Sequence, residues 1–151
     1  MKTKQQLDER LRRLGQMIEG FNVAMLTTVA EDGSLHSRPM ATQYANFDGT
    51  LWFFTHAHAH KAGDVARYQK VNISYIDPDK ERYISISGQA ELVRDREKIQ
   101  AIWNPTYKTW FPQGLQDPDL ALLKISLEQA EYWDSQADTM AQIIGPGLSS
   151  S

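Results

Sequence analysis

The chain contains no cysteine. Disulfide staples and thiolate metal sites are therefore excluded, and with them a disulfide-dense secreted fold. Basic charge is also short. The 16 Lys and Arg are outnumbered by 19 Asp and Glu, which leaves a formal net charge of −3. A nucleic-acid partner needs a basic surface to displace counterions, so none is expected. Long apolar runs are missing too. No stretch approaches the roughly 20 apolar residues that cross a bilayer. The opening, residues 1–20, is rich in Lys, Arg and Gln and lacks the apolar run of a signal peptide. The expectation is a cytoplasmic protein with no membrane partner. There is no internal repeat and no long linker. Low complexity is confined to residues 145–151, whose Gly, Pro and Ser read as a frayed end.

What is present fits one globular unit. A chain of 151 residues with 41% hydrophobic side chains can bury a single sizeable core, which argues against global disorder. The domain is expected to span residues 1–137, with 138–151 as a C-terminal tail.

The periodicity changes along the chain. Leu7, Leu11, Leu14, Met17 and Ile18 recur at spacings of three and four and predict a helix over 3–19, stopped at Gly20. Residues 23–29 are apolar and β-branched, a strand pattern. Glu31-Asp32-Gly33-Ser34 marks a hairpin turn, with a returning strand over 35–44. A second turn lies at Asn46-Phe47-Asp48-Gly49. Residues 50–55 read as a strand buried on both faces. A short helix is predicted over 58–68 and strands over 71–76 and 83–93, the latter with a bulge or bend at Gly88. Asp95 is placed to cap a helix over 96–103. Pro105, Pro112, Gly114 and Pro118 make 104–119 irregular. Residues 120–133 read as a last long strand, although their middle also fits a helix. About six strands joined by short turns predict a mainly β fold with added α: a six-stranded antiparallel barrel with an N-terminal helix and short helices between strands.

Three groups of residues carry chemistry. Arg38 on the second strand, Thr55 at the end of the third and Lys61 near a helix start would suit a phosphate, since a helix N-terminus and cations favour an anion. The plainer reading is that both cations are ordinary surface residues. His56, His58 and His60 alternate, and imidazole is a common transition-metal ligand. The spacing does not complete a His-Glu-x-x-His motif, so the favoured reading is a polar loop and no metal site is assigned. Of the aromatic residues Trp103, Tyr107, Trp110, Phe111, Tyr132 and Trp133, Trp110 is the one expected at a pocket, since flat rings favour offset stacking.

Arg38-Pro39-Met40, then Asp48-Gly49-Thr50-Leu51-Trp52-Phe53-Phe54-Thr55, then Lys61, resembles the FMN-binding core of the pyridoxamine 5'-phosphate oxidase-like split barrels. The details are most similar to the general stress protein 26 group. The likeness continues through Tyr83-Ile84-Ser85-Ile86-Ser87-Gly88 and Trp110-Phe111-Pro112 to Glu131-Tyr132-Trp133-Asp134. The resemblance implies a split β-barrel that binds FMN at the interface of a homodimer. It implies that the segment Arg38, Pro39, Met40, Ala41, Thr42 and Gln43 lies along the FMN, with Arg38 on the phosphate. Met40, Ala41 and Thr42 would offer backbone groups, and Gln43 would meet the pyrimidine edge of the flavin. Phe54 and Thr55 match an aromatic–Thr pair beside the cofactor. His60 and Lys61 match an Arg–Lys phosphate pair, with His60 in place of the arginine. Tyr83 falls where the oxidases have a glutamine that reaches the flavin across the dimer.

One departure bears on activity. The C-terminal Arg-containing motif that seats the pyridine substrate in the true oxidases is not found, so oxidation of vitamin B6 is not expected. The expected function is a flavin-dependent oxidoreductase of the general stress protein type acting on a small-molecule redox substrate. The alternatives are a non-catalytic flavin-binding stress-response module and, less favoured, a metal-binding β-barrel.

Overall fold

The structure is a computed structural model, and it describes residues 4–41, 49–59, 69–134 and 139–144. In chain order it comprises α1 (Lys4–Ile18), β1 (Val23–Val29), β2 (Leu35–Ala41), β3 (Thr50–His56), β4 (Gln69–Asp77), β5 (Arg82–Val93), α2 (Arg96–Ile102), β6 (Leu120–Asp134) and β7 (Thr139–Ile144). Short 3-10 turns occupy 57–59, 105–109 and 114–116.

The strands form one sheet in the order β2-β1-β4-β5-β6-β3, and every pairing is antiparallel. The sheet is curled into a split barrel. β2 and β3, consecutive in the chain, stand at opposite ends of that order and face each other across the open seam. All six expected strands are present. β7 is a seventh, paired with β6. The sequence reading assigned it to the tail, because a six-residue segment that finds its partner only in β6 has little periodicity of its own.

Period-two alternation explains how the core is filled. Ala24 and Leu26 of β1, Ile73 and Tyr75 of β4, and Ile84 and Ile86 of β5 turn inward, with Phe53 of β3 and Ile125 of β6. Leu14 and Ile18 of α1 close the cluster, and Leu11 and Met17 pack at its margin, as the helical stripe requires. β3 is buried on both faces because a second, smaller core lies behind it. There Phe54, Leu120 and Leu122 meet Ile99 of α2 and Tyr107. Asp95 caps α2 by accepting a hydrogen bond from the backbone N–H of Glu97. Gly33 and Gly49 both have positive φ in the turns expected for them. The pairing of β5 with β6 shifts register between Ser87 and Gly88, where the bend was expected.

The outer face of the sheet is different in character. Asn72, Ser74, Ser85 and Ser87 form a small hydrogen-bonded network across β4 and β5. At the far end of the same face, Ile76, Tyr83 and Trp133 lie in one cross-strand row. They remain 57%, 38% and 37% exposed, an apolar band on an otherwise polar surface.

Candidate functional site

The seam between β2 and β3 is where most of the predicted site residues that the structure describes come together. Arg38 sits opposite Leu26 in the β1–β2 register, so its side chain starts on the interior face of the sheet, on the same side as the buried Met40. Its Nη2 donates to the Thr28 hydroxyl at 2.9 Å. Among the described residues Arg38 makes no ion pair, unlike His56, His58 and Arg82. Pro39 is exposed on the opposite face. β2 is an end strand, where a residue without an N–H costs no ladder bond on the open side. Ala41 packs against the second core beside Phe54, which brings the end of β2 to β3 across the seam.

Phe54 and Thr55 are neighbours on one strand, so their side chains face opposite ways. Thr55 is buried on the interior side. The Phe54 ring is enclosed by its own chain, with centroids 5.3 Å from Trp103, 5.3 Å from Tyr107 and 6.1 Å from Phe111. Any contact it makes with a ligand therefore runs through its backbone. Trp110 caps the 3-10 turn over 105–109 and is 41% exposed at the edge of this aromatic group. Tyr83 stands apart, in the outer row with Ile76 and Trp133. Thr42, Gln43, His60 and Lys61 lie outside the described residues, as does most of the helix predicted over 58–68; its first two residues belong to a 3-10 turn.

Two features were missed from sequence. One is Thr28 as the partner of Arg38. The hairpin around Gly33 contained that signal, since it sets Thr28 opposite His36 and hence diagonal to Arg38. The other is a clasp at the exit of β3. His56 Nδ1 lies 3.3 Å from Asp117 and 3.8 Å from Asp119, while the His58 ring contacts Asp119. The backbone N–H of His58 also donates to Asp119 at 3.0 Å, and that of Ala57 donates to the Asp119 carbonyl at 2.8 Å. The two histidines are thus engaged by carboxylates some sixty positions along the chain, a pairing no local pattern reveals. Among the described residues no group of three or more His, Asp or Glu is placed to hold a metal ion.

Partial desolvation works to raise the Asp119 carboxyl, but the His58 ring and backbone N–H, with the charges of His58 and His56, hold it below the ordinary value of 3.8. A depressed carboxyl stabilises the fold above its unfolded value, and that contribution is lost as pH falls through the folded value. Asp119→Asn should therefore lower the melting temperature at pH 6, and the gap from wild type should close as pH drops below about 3.8. Thermal unfolding across that range measures it. A gap that stays constant would mean the clasp does not depend on the Asp119 charge.

A shallow groove of about 520 Å³ crosses the outer face, lined by Thr27, Val29, Leu35, Asn72, Ser87 and Gln129 among others. It includes none of the predicted site residues. Its walls belong to the same polar face as the serine network.

Residues 9–146 match the family described as "Pyridoxamine 5'-phosphate oxidase like". The chain belongs to the pyridoxamine 5'-phosphate oxidase-like family. Solved members share its fold. A Clostridium acetobutylicum protein related to general stress protein 26 superposes with a TM-score of 0.72 at 19% identity, covering 90% of this chain and 96% of its own. The general stress FMN/FAD binding protein of Xanthomonas citri gives 0.70 at 26% identity, covering 88% and 94%. Among curated proteins, Protein bli-3 of Neurospora crassa is 26% identical over 93% of this chain and 72% of its own length. The split barrel of this family is therefore the architecture of the chain. No helix among the described residues is long and apolar enough to cross a membrane.

Proposed function

We propose that this protein binds FMN across a homodimer and acts as a flavin-dependent oxidoreductase of the general stress protein type. The observation that carries the reading is Arg38. It is a half-buried guanidinium on the interior side of an end strand, and its described partner is a neutral hydroxyl rather than a carboxylate. Holding a cation partly out of water without a counter-charge is unfavourable unless an anion completes the site. A phosphate monoester suits the fork of an arginine. Lys61 and His60 would add to it, while Thr55 and the backbone of Met40, Ala41 and Thr42 would lie along the rest of the cofactor. Gln43 would meet the pyrimidine edge. FMN supplies one- and two-electron chemistry; the protein supplies binding, orientation and shielding from water.

The dimer completes the proposal. The row Ile76–Tyr83–Trp133 is apolar surface that a second copy would cover, and the groove on the same face would lie in the same contact. A twofold axis presents that face to itself, which would bring Tyr83 of each protomer towards the flavin of the other. Trp110, 41% exposed at the end of the 3-10 turn over 105–109, would flank the ring or the substrate mouth.

Sedimentation of pure protein with added FMN, followed both at the flavin band and in the ultraviolet, tests cofactor and assembly together. The expected result is a single dimeric species carrying the flavin absorbance. Colourless protein that takes up no FMN would overturn the reading, and flavin travelling tightly with a monomer would overturn the dimer. Anaerobic reduction of the bound flavin by NADH or NADPH, followed by reoxidation with added acceptors, separates an oxidoreductase from a non-catalytic flavin carrier.

A further inference from the structure

We infer that Thr28 is a positioning residue for the phosphate site: it fixes the Arg38 guanidinium without neutralising it. The inference rests on the FMN reading above. Thr28 lies on β1 and is itself buried, at 8% exposure. It pairs with His36 on β2 and with Val71 on β4, so it sits one cross-strand step along from the Leu26–Arg38 pair, on the same interior face. Its Oγ1 accepts from Arg38 Nη2 at 2.9 Å. As a β-branched residue in a strand it has a restricted χ1, so the acceptor is held in place by the backbone.

The choice of a hydroxyl matters chemically. An arginine has five donors in one plane, and engaging one of them fixes the orientation of the rest. A carboxylate in the same place would fix the plane equally well, but it would cancel the charge that a phosphate needs. A neutral acceptor leaves the full positive charge and the other donors for the anion. The surroundings support the assignment. On the β4 side the partner of Thr28 is the apolar Val71. Gln69, the next inward-facing residue of β4, spends its amide N–H on the Val29 carbonyl, and its Oε1 finds no partner among the described residues. This end of the barrel thus combines an oriented cation with one buried oxygen, Gln69 Oε1, that the described chain does not satisfy.

The test is a set of FMN and riboflavin titrations on the full-length chain. Thr28→Val keeps the shape and the β-branch but removes the acceptor. It should weaken FMN binding about ten-fold and leave riboflavin, which has no phosphate, unchanged. Thr28→Ser restores the hydroxyl and should recover most of the affinity. In an Arg38→Ala background Thr28→Val should have no further effect, because the interaction it removes is already gone. Thr28→Ala is measured in parallel, with thermal unfolding of each variant, so that one poorly folded variant does not decide the result. Wild-type FMN affinity in Thr28→Val, an equal loss for riboflavin, or an additive loss in the double variant would each overturn the positioning role. Wild-type FMN affinity in Arg38→Ala would instead overturn the phosphate reading on which it rests.

Discussion

Replacing Arg38 with alanine is expected to weaken FMN binding roughly ten- to hundred-fold while leaving riboflavin almost untouched. A phosphate monoester near neutral pH is close to a dianion, and at a partly buried site each cation that meets it makes charge-assisted hydrogen bonds. Losing one such bond costs on the order of 1.5–3 kcal/mol, which is the ten- to hundred-fold range. Lys61→Ala, from the segment beyond the described residues, should behave in the same way if the two cations share the anion. Riboflavin is the control for damage to the fold, because a disturbed barrel would weaken both ligands together. Removing Arg38 should not harm the fold: its described hydrogen bond is to Thr28, and among the described residues it makes no ion pair that would be broken. Thermal unfolding of the variant without ligand checks that point. If FMN affinity is the same in wild type and in both variants, these are ordinary surface cations and the phosphate lies elsewhere.

Much of the fold was legible because local chemistry and global topology agree. Asp32-Gly33-Ser34 predicted a hairpin, and Gly33 has the positive φ that the turn demands, with Asp32 accepting from the backbone N–H of Ser34. The unbroken apolar run Leu51-Trp52-Phe53-Phe54 predicted burial on both faces, and two separate cores account for it. The middle of 120–133 also fits a helix because Leu127, Glu128, Gln129 and Ala130 are all good helix formers. The ambiguity ends only when β3 and β5 are seen to pair on either edge. The site was legible in a different way. Arg38 stood out through its resemblance to a family motif, whereas Thr28 carries no motif and becomes visible only through the hairpin register. The Phe54–Thr55 pair shows the limit of a motif. Adjacent strand residues must diverge, and the Phe54 ring went to its own aromatic cluster. The clasp between His56, His58 and the carboxylates of Asp117 and Asp119 is non-local, and only the pairing of β3 with β6 creates it.

Gly88→Ala is expected to be strongly destabilising, because a Cβ there would meet the closest main-chain obstacle found at any of the described glycines. At Gly88 the β5–β6 ladder slips: Ser87 faces Gln129 but Gly88 faces Leu127, so Glu128 is the extra residue on β6. The bulge drives the β6 backbone towards Gly88. A Cβ there would lie far inside van der Waals contact with the Ser126 carbonyl oxygen, 3.1 Å from its carbonyl carbon and 3.3 Å from Ile125 Cγ2. The obstacle is main chain in a paired strand, not the tip of a side chain, so it cannot swing aside. Relief requires the central β5–β6 pairing to open. Overpacking of a tight interior costs 1–3 kcal/mol and occasionally more, and here about 3 kcal/mol is expected, since backbone must move. For a domain of this size that is a fall of about 10 °C in melting temperature. Gly20→Ala provides the contrast. Its Cβ would meet nothing nearer than the Met17 carbonyl at 3.7 Å, so its effect should stay within about 0.5 kcal/mol. The bulge also separates the part of β5 and β6 that backs the second core from the part that carries Tyr83 and Trp133. Equal melting temperatures for the two alanine variants would show that β6 can step back from β5, and that glycine is not what the close approach requires.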